Sequence, residues 1–323
     1  MTPAPLRIGT RGSKLAVAQT TQIAERIADA AGREFEIARV STHGDVNRAS
    51  LKEIGGQGVF ATELREALAA GEVDIAVHSL KDLPTVPAPG LVLAAHPERA
   101  DARDVLVARD GLGLADLPAG ARVGTGSPRR IAQLRRARPD VTPVDIRGNI
   151  DTRIGFVTSG ELDAVVLAAA GLVRFDRERV ITEMLPLDVF PTAPGQGALA
   201  VEVREGFELD ALGAVDCAAT RTAVEAERAV LNGLDAGCQA PVGVHAEVVD
   251  GVLSIHGVVY GLDAGQSTRC EARATGPVTL PAPATGALTA RPMASDDVLA
   301  VARLVVEDLL QQGAGRLIAE PYA

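Results

Sequence analysis

The sequence predicts an α/β protein: two α/β domains in series, followed by a smaller α+β domain. Three observations carry this. Short apolar strands alternate with amphipathic helices through the first two-thirds of the chain. Near Asp216 the order changes to a helix, a hairpin and a closing helix. At 323 residues the chain is too long for one ordinary core. Hydrophobic content of 47% suits globular packing, and with 2% aromatics and no Trp the cores must rest on Ala, Val, Leu and Ile.

In the first series LRIGT reads as a strand, and Ser13 caps a helix running to about Ala30 with Gly32 as its stop. EFEIARV is the next strand, ATELREALAAG a helix and VDIAVHS a strand, an order that implies a parallel sheet with covering helices. The stretch VPAPGLVLAAHPERADARD, rich in Pro and small residues, reads as a domain junction. In the second series RVGTGS is a strand and turn, and SPRRIAQLRRARPD a helix with Ser127 as cap and Pro128 at its first position. PVDIRGN is a strand, and LDAVVLAAAG a buried strand and helix start. The strand in FPTAPGQGALAVEVR follows a crossover-like segment and could return to the first domain. CAATRTAVEAERAVLNGLDAG reads as one helix ending at Gly237, and GVHAEVVDGVLSIHGVVYG as a hairpin about Asp250-Gly251. ATGPVTLPAPATGALTARPMAS reads as a loop or insertion, and the last helix is capped by Ser295 and stopped near Gly313.

Net charge is -10, which disfavours duplex DNA, and the scarcity of aromatics argues against single-stranded nucleic acid. Cys217, Cys238 and Cys270 are odd in number and fit neither a disulfide framework nor a zinc pattern, and five scattered histidines give no metal pattern. No stretch reaches the roughly 18 apolar residues of a membrane span. The N-terminus lacks the layout of a signal peptide, so a reduced cytoplasm is expected.

Against this acidic background, arginines cluster beside glycines where loops hand over to helices or strands. They are Arg7 and Arg11, Arg129 and Arg130, Arg147 and Arg153, and Arg174. A guanidinium at a Gly turn can grip an anion with its planar fork, and several suggest a ligand with many negative groups. Arg129 and Arg130 sit in a first helical turn, where a cation opposes the helix dipole unless an anion binds there. Arg147 and Arg153 could instead pair with Asp145 or Asp151, and Arg135, Arg136 and Arg138 read as a solvated face. Ser79, Lys81 and Asp82 fall at a strand's C-terminal end, where open α/β sheets bind ligands. Asp82 could stabilise positive charge or shuttle a proton, or simply cap a turn. Cys238, after a helix stop, is either an exposed nucleophile or a small buried hydrophobe.

RIGTRGSKLA, GVFATELREALAAGEVDIAVHSLKDLPT, GTGSPRR, IRGNIDTR, APGQGALAVE and ERAVLNGLDAGCQAPVG occur in this order. Together, from Leu6 to about Ala319, they resemble the porphobilinogen deaminase (hydroxymethylbilane synthase) family. The resemblance implies two domains like those of two-lobed periplasmic binding proteins around a cleft, with the cofactor cysteine on the third domain. The implied limits are residues 1–97 with 197–215, residues 98–196 and residues 216–323. It further implies a dipyrromethane cofactor tethered by a thioether to Cys238, porphobilinogen as substrate, hydroxymethylbilane as product, and a monomer with no nucleic-acid or membrane partner. Asp82 matches the family's catalytic aspartate. Ser13, Lys81, Asp82, Thr125, Ser127, Arg129, Arg130, Arg147 and Gly171 match positions that hold the cofactor. Arg11, Ser79, Arg147, Arg153, Arg174 and Gln196 match positions for the substrate. Two family lysines of a lid loop are replaced here by Glu53 and Gln57, which puts a lysine contact from that lid in doubt. The Pro/Ala-rich stretch 275–294 exceeds the family pattern. A non-catalytic anion-binding module and a nucleic-acid binder using RRIAQLRRAR are the other readings of these residues.

Overall fold

The computed structural model describes residues 4–41, 61–237, 240–262, 268–282, 286–288 and 294–319. Three sheets organise them. The first has the order β2-β1-β3-β10-β4, from β1 (Leu6–Arg11), β2 (Phe35–Val40), β3 (Ile75–Ser79), β4 (Leu91–Ala95) and β10 (Leu199–Arg204). The second has the order β7-β6-β8-β5-β9, from β5 (Asp104–Ala108), β6 (Arg122–Gly124), β7 (Thr142–Val144), β8 (Ala164–Ala168) and β9 (Glu183–Met184). The third is the antiparallel meander β11 (Val242–Val249), β12 (Val252–Tyr260) and β13 (Arg269–Pro277).

The expected parallel sheets are corrected to mixed ones. β1 runs parallel to β2 and β3, and β6 parallel to β7 and β8. β10 is antiparallel to β3 and β4, and β5 is antiparallel to β8 and β9. The reason is one of path. β5 enters the second lobe from β4, and β10 returns to the first from β9, so each lobe contains one strand running against the others.

Local chemistry sets the helices. α1 (Lys14–Ala31) starts at Ser13, whose hydroxyl accepts from the Ala16 amide, and stops at Gly32 with φ 59°. Its Ile23, Ala24 and Ile27 pack against Leu6, Ile8 and Ile75 in the first lobe's core. α2 (Thr62–Ala69) covers the same sheet through Leu64 and Leu68. In the second lobe α3 (Pro128–Ala137) has Ser127 as N-cap, and α4 (Ile150–Thr158) has Asn149. The short α5 (Ala169–Val173) continues from β8.

α6 (Ala218–Gly233) and α7 (Asp296–Gln311) pack on the third sheet through Val230, Leu231, Val301 and Val305, and α8 (Ala314–Ala319) closes the described chain. α6 stops before the expected Gly237, because the chain turns at Asp235 with φ 50°. The hairpin forms as expected, with Asp250 and Gly251 at φ 51° and 73°.

Three readings change. Within the supposed junction, Leu91–Ala95 is the edge strand β4, so the crossover narrows to residues 96–103. Arg135 and Arg138 are not merely a solvated face. Arg135 donates to the Leu262 carbonyl at 3.0 Å, and Arg138 to the carbonyls of Leu114, Ala115 and Leu117. The Pro/Ala-rich stretch begins inside β13, and its Leu288 is 4% exposed within the first lobe's core, bonded to Gly206 and Phe207.

The three sheets meet at Glu227 of α6, which is fully buried. Its carboxylate accepts both terminal nitrogens of Arg99 at 2.7 and 3.0 Å, the Gly195 amide at 2.6 Å and the Ala246 amide at 2.8 Å. Arg99 and Gly195 lie on the two crossovers, and Ala246 lies on β11, so one carboxylate joins both crossovers to the third sheet. No described helix is long and apolar enough to cross a membrane.

Candidate active site

The parallel strands of both lobes point their C-terminal ends at a common cleft, as open α/β sheets do where they bind ligands. From the first lobe come Arg11 at the end of β1, Ser79 at the end of β3 and the 3-10 turn Leu80–Asp82. From the second come Thr125 after β6, the N-terminus of α3, Arg147 after β7, and α5 after β8. The lobes approach closely here: a Cβ added to Gly171 of α5 would lie 3.0 Å from Ile150 and 4.0 Å from Leu15 of α1.

Asp82 is half-buried, and its Oδ2 is 3.3 Å from an Arg11 terminal nitrogen. Ser79 Oγ donates to Gln19 Oε1 at 3.3 Å. Lys81 is lowered from its ordinary 10.5 to about 8, first by burial and then by the charges of Arg130 and Arg129, against the opposing pull of Asp82 and Asp104. Ser13 and Ser127 spend acceptor capacity on helix caps, and each hydroxyl keeps its proton to donate. Thr125 is fully buried, and Gly126 beside it is forced by contact: a Cβ there would sit 2.9 Å from the Ile146 carbonyl.

Arg129 and Arg130 converge on Asp104, a residue that gave no signal in the sequence. Arg129 donates to Asp104 Oδ2 at 2.7 Å, to Gln133 Oε1 at 2.8 Å and to the Pro191 carbonyl at 3.1 Å. Arg130 donates to Asp104 Oδ1 at 2.6 Å and to the Val166 carbonyl at 3.0 Å. Gln196, 1% exposed, donates to Asp104 Oδ1 at 2.8 Å and to the Ala102 carbonyl at 2.7 Å. Burial alone would raise the Asp104 carboxyl, but the two guanidiniums outweigh it and hold the acid well below the usual carboxylate range. Arg129 and Gln196 are thus turned into the framework, and a ligand carboxylate reaching this pair would share it with Asp104.

Arg153 Nε donates to the Gly148 carbonyl at 2.9 Å, closing the loop that carries Arg147. Burial pushes Arg153 down to about 10, and Arg130 and Arg147 add to the shift by like-charge repulsion. Neither Arg147 nor Arg153 takes the salt bridge with Asp145 or Asp151 that the sequence left open; Asp151 instead faces Arg177 at 3.6 Å. Arg174, at the end of α5, donates to the Gly197 carbonyl at 2.9 Å. Cys238, Glu53 and Gln57 lie outside the described residues. Arg7, the outlying member of the arginine set, pairs with Asp74 at 2.7 Å away from the cleft.

Cations therefore crowd this cleft beyond what Asp82 and Asp104 offset. The Nε atoms of Arg129, Arg130 and Arg147 are buried with no hydrogen-bond partner among the described residues. Such a donor set suits a ligand bearing several carboxylates.

A family model for the porphobilinogen deaminase dipyrromethane cofactor binding domain matches residues 6–209, and one for the porphobilinogen deaminase C-terminal domain matches residues 221–289. Curated relatives extend the likeness over the whole chain. A porphobilinogen deaminase of Leifsonia xyli subsp. xyli is 61% identical over 80% of this chain and 80% of its own. One of Thermobifida fusca is 48% identical over 100% of this chain and 98% of its own. Porphobilinogen deaminase 1 of Streptomyces coelicolor is 49% identical over 99% of each.

Proposed function

The chain belongs to the porphobilinogen deaminase family, and on that premise we propose that Asp82 is its catalytic carboxylate and that Cys238 carries its cofactor through a thioether. The enzyme is a transferase that tetrapolymerises porphobilinogen to hydroxymethylbilane with loss of ammonia, in tetrapyrrole biosynthesis. Its cofactor is a dipyrromethane, which supplies two linked pyrrole rings with carboxylate arms as the primer for chain growth.

One observation carries the residue roles: Asp82 lies at the cleft between Arg11 and Lys81, in a site where cations exceed carboxylates. Asp82 accepts pyrrole N–H groups and stabilises the positive charge that develops on the incoming ring as ammonia departs. The same carboxylate can move a proton in that step. Arg11 fixes its orientation. Lys81, Arg130 and Arg147 hold the cofactor's carboxylates, with Ser13, Thr125, Ser127 and Arg129 completing that wall and Gly171 leaving room for it. Arg153, Arg174 and Ser79 serve the substrate side, and Gln196, expected there too, acts from behind it by holding Asp104. The position of β10 in the first sheet supports dividing the chain into residues 1–97 with 197–215, 98–196 and 216–323. We read the protein as a cytoplasmic monomer, as the family resemblance implies, with sedimentation in solution as the check on its state.

Intact mass spectrometry tests the attachment. The wild type carries the mass of one dipyrromethane, and Cys238→Ser lacks it; a fully active wild type of unmodified mass would refute the tether. Asp82→Asn lowers kcat by roughly 100- to 10,000-fold, the range a positioned acid or base supplies. Steady-state turnover of porphobilinogen measures this, and an unimpaired variant removes Asp82 from the chemistry.

A further inference from the structure

We propose that one face of α6 is the template for the Asp82 turn, and that Arg228 is a positioning residue that holds this turn at a set distance from the arm leading to Cys238. The proposal rests on Asp82 as the catalytic carboxylate. Val224, Arg228 and Asn232 are spaced by four and so share a helix face. The turn runs along that face in register. Val224 packs with Leu80 and Leu83. Arg228 donates to the Leu83 carbonyl at 3.2 Å and to the Pro84 carbonyl at 2.6 Å, the two carbonyls that follow Asp82. Asn232 meets the Thr85 hydroxyl at 3.4 Å.

Arg228 is 6% exposed. Burial pushes it down to about 10, with Arg65 adding to the shift and Glu202 and Glu225 opposing it, so it remains charged at neutral pH. Charged donors to two successive carbonyls fix both the position and the orientation of the turn. Beside this contact lies a cavity of about 30 Å³, lined by Leu80, Lys81, Pro84, Arg228 and Gly237, so the turn and the arm border the same small space. Gly237 immediately precedes Cys238 in the chain. The helix that delivers the cofactor arm therefore also holds the catalytic turn, and the spacing of the two is built into one rigid element.

Arg228→Lys keeps the charge but offers a point donor where the fork bridged two carbonyls. We expect kcat to fall on the order of tenfold to a hundredfold, as for a displaced catalytic group, with KM for porphobilinogen within about twofold. Intact mass should still show the cofactor, and the thermal unfolding midpoint should stay close to the wild type. Combined with Asp82→Glu, whose carboxylate is already displaced, the loss should be smaller than the product of the two single losses. An unchanged kcat, or losses that multiply, would overturn the proposal. If Asp82→Glu alone matches the wild type, the premise about Asp82 fails and the proposal with it, a result distinct from an inert Arg228. If Arg228→Lys does not fold, Asn232→Ala at the exposed end of the same face decides. A lower kcat that is again sub-multiplicative with Asp82→Glu supports the template, and an unchanged kcat overturns it.

Discussion

At the scale of the residue, Lys81 has the most readily measured behaviour. Burial and the neighbouring arginines lower it to about 8, so it loses its charge far below the ordinary 10.5. Between those values the unfolded chain holds a proton that the folded site has lost, so this group's contribution to stability rises with pH across that window. For ligand binding the effect has the opposite sign, because a neutral amine no longer attracts carboxylates. Uptake of the dipyrromethane by the cofactor-free protein should therefore slow as pH rises through about 8, and Lys81→Arg should move that limb out of range, since a guanidinium stays charged. A pH profile of both enzymes is the check; an unmoved limb would assign the titration to another group. The cleft arginines were legible in the sequence because each sits beside a glycine turn in an acidic chain. Asp104 was not, because in ADARD it looks like any surface acid. Its two arginine partners lie some 25 residues on, at Arg129 and Arg130, and only the fold brings them together. Glu227 and Arg228 were hidden for the same reason, inside a helix whose amphipathic pattern accounted for them.

At the scale of the element, helix starts were read correctly where the signal is local, as at Ser13 and Ser127, whose side chains reach an amide three residues ahead. Strand β5 was missed: it is a short run bounded by charge, and its identity comes from neighbours distant in sequence. The two crossovers depend on one another in the same way. Ala100 donates its amide to the Gly197 carbonyl at 3.2 Å, and Gly197 sits at φ 85° with no room for a side chain, since a Cβ would lie 2.5 Å from the Ala100 carbonyl. Gly197→Ala should cost roughly 1–3 kcal/mol from backbone strain alone, before the clash is relieved. Urea unfolding would show this as a lower midpoint, and a midpoint equal to the wild type would mean the crossovers separate freely.

At the scale of the whole molecule, a few buried groups reach from one unit of the fold to another. Glu227 ties both crossovers to the third sheet, and Leu288 inserts from the Pro/Ala-rich stretch into the first lobe's core. The sequence showed that stretch as an irregular insertion without a purpose. With Val278 and Ala294 packed in the third sheet's core and Leu288 in the first lobe's, it is a strap between the third domain and the first lobe. Leu288→Ala should destabilise by about 2–5 kcal/mol, the range for truncating a buried leucine. Differential scanning calorimetry should show the first lobe's transition moving down more than that of the third sheet. Equal shifts would mean the strap is not specific to that lobe.

The return of β10 to the first sheet also has a consequence for how the protein is made. Among the described strands β4 is bonded only to β10, and β3 meets β10 on the edge away from β1. Both must wait while the ribosome produces the entire second lobe, because Leu199 emerges only after it. The lobe begun first is thus completed last, and a nascent chain carries an open β-edge for the whole interval. A chain stopped after residue 196 should protect its second sheet from a protease while its first is cut. In the cell, translation pauses in that interval would be where this enzyme most needs a chaperone.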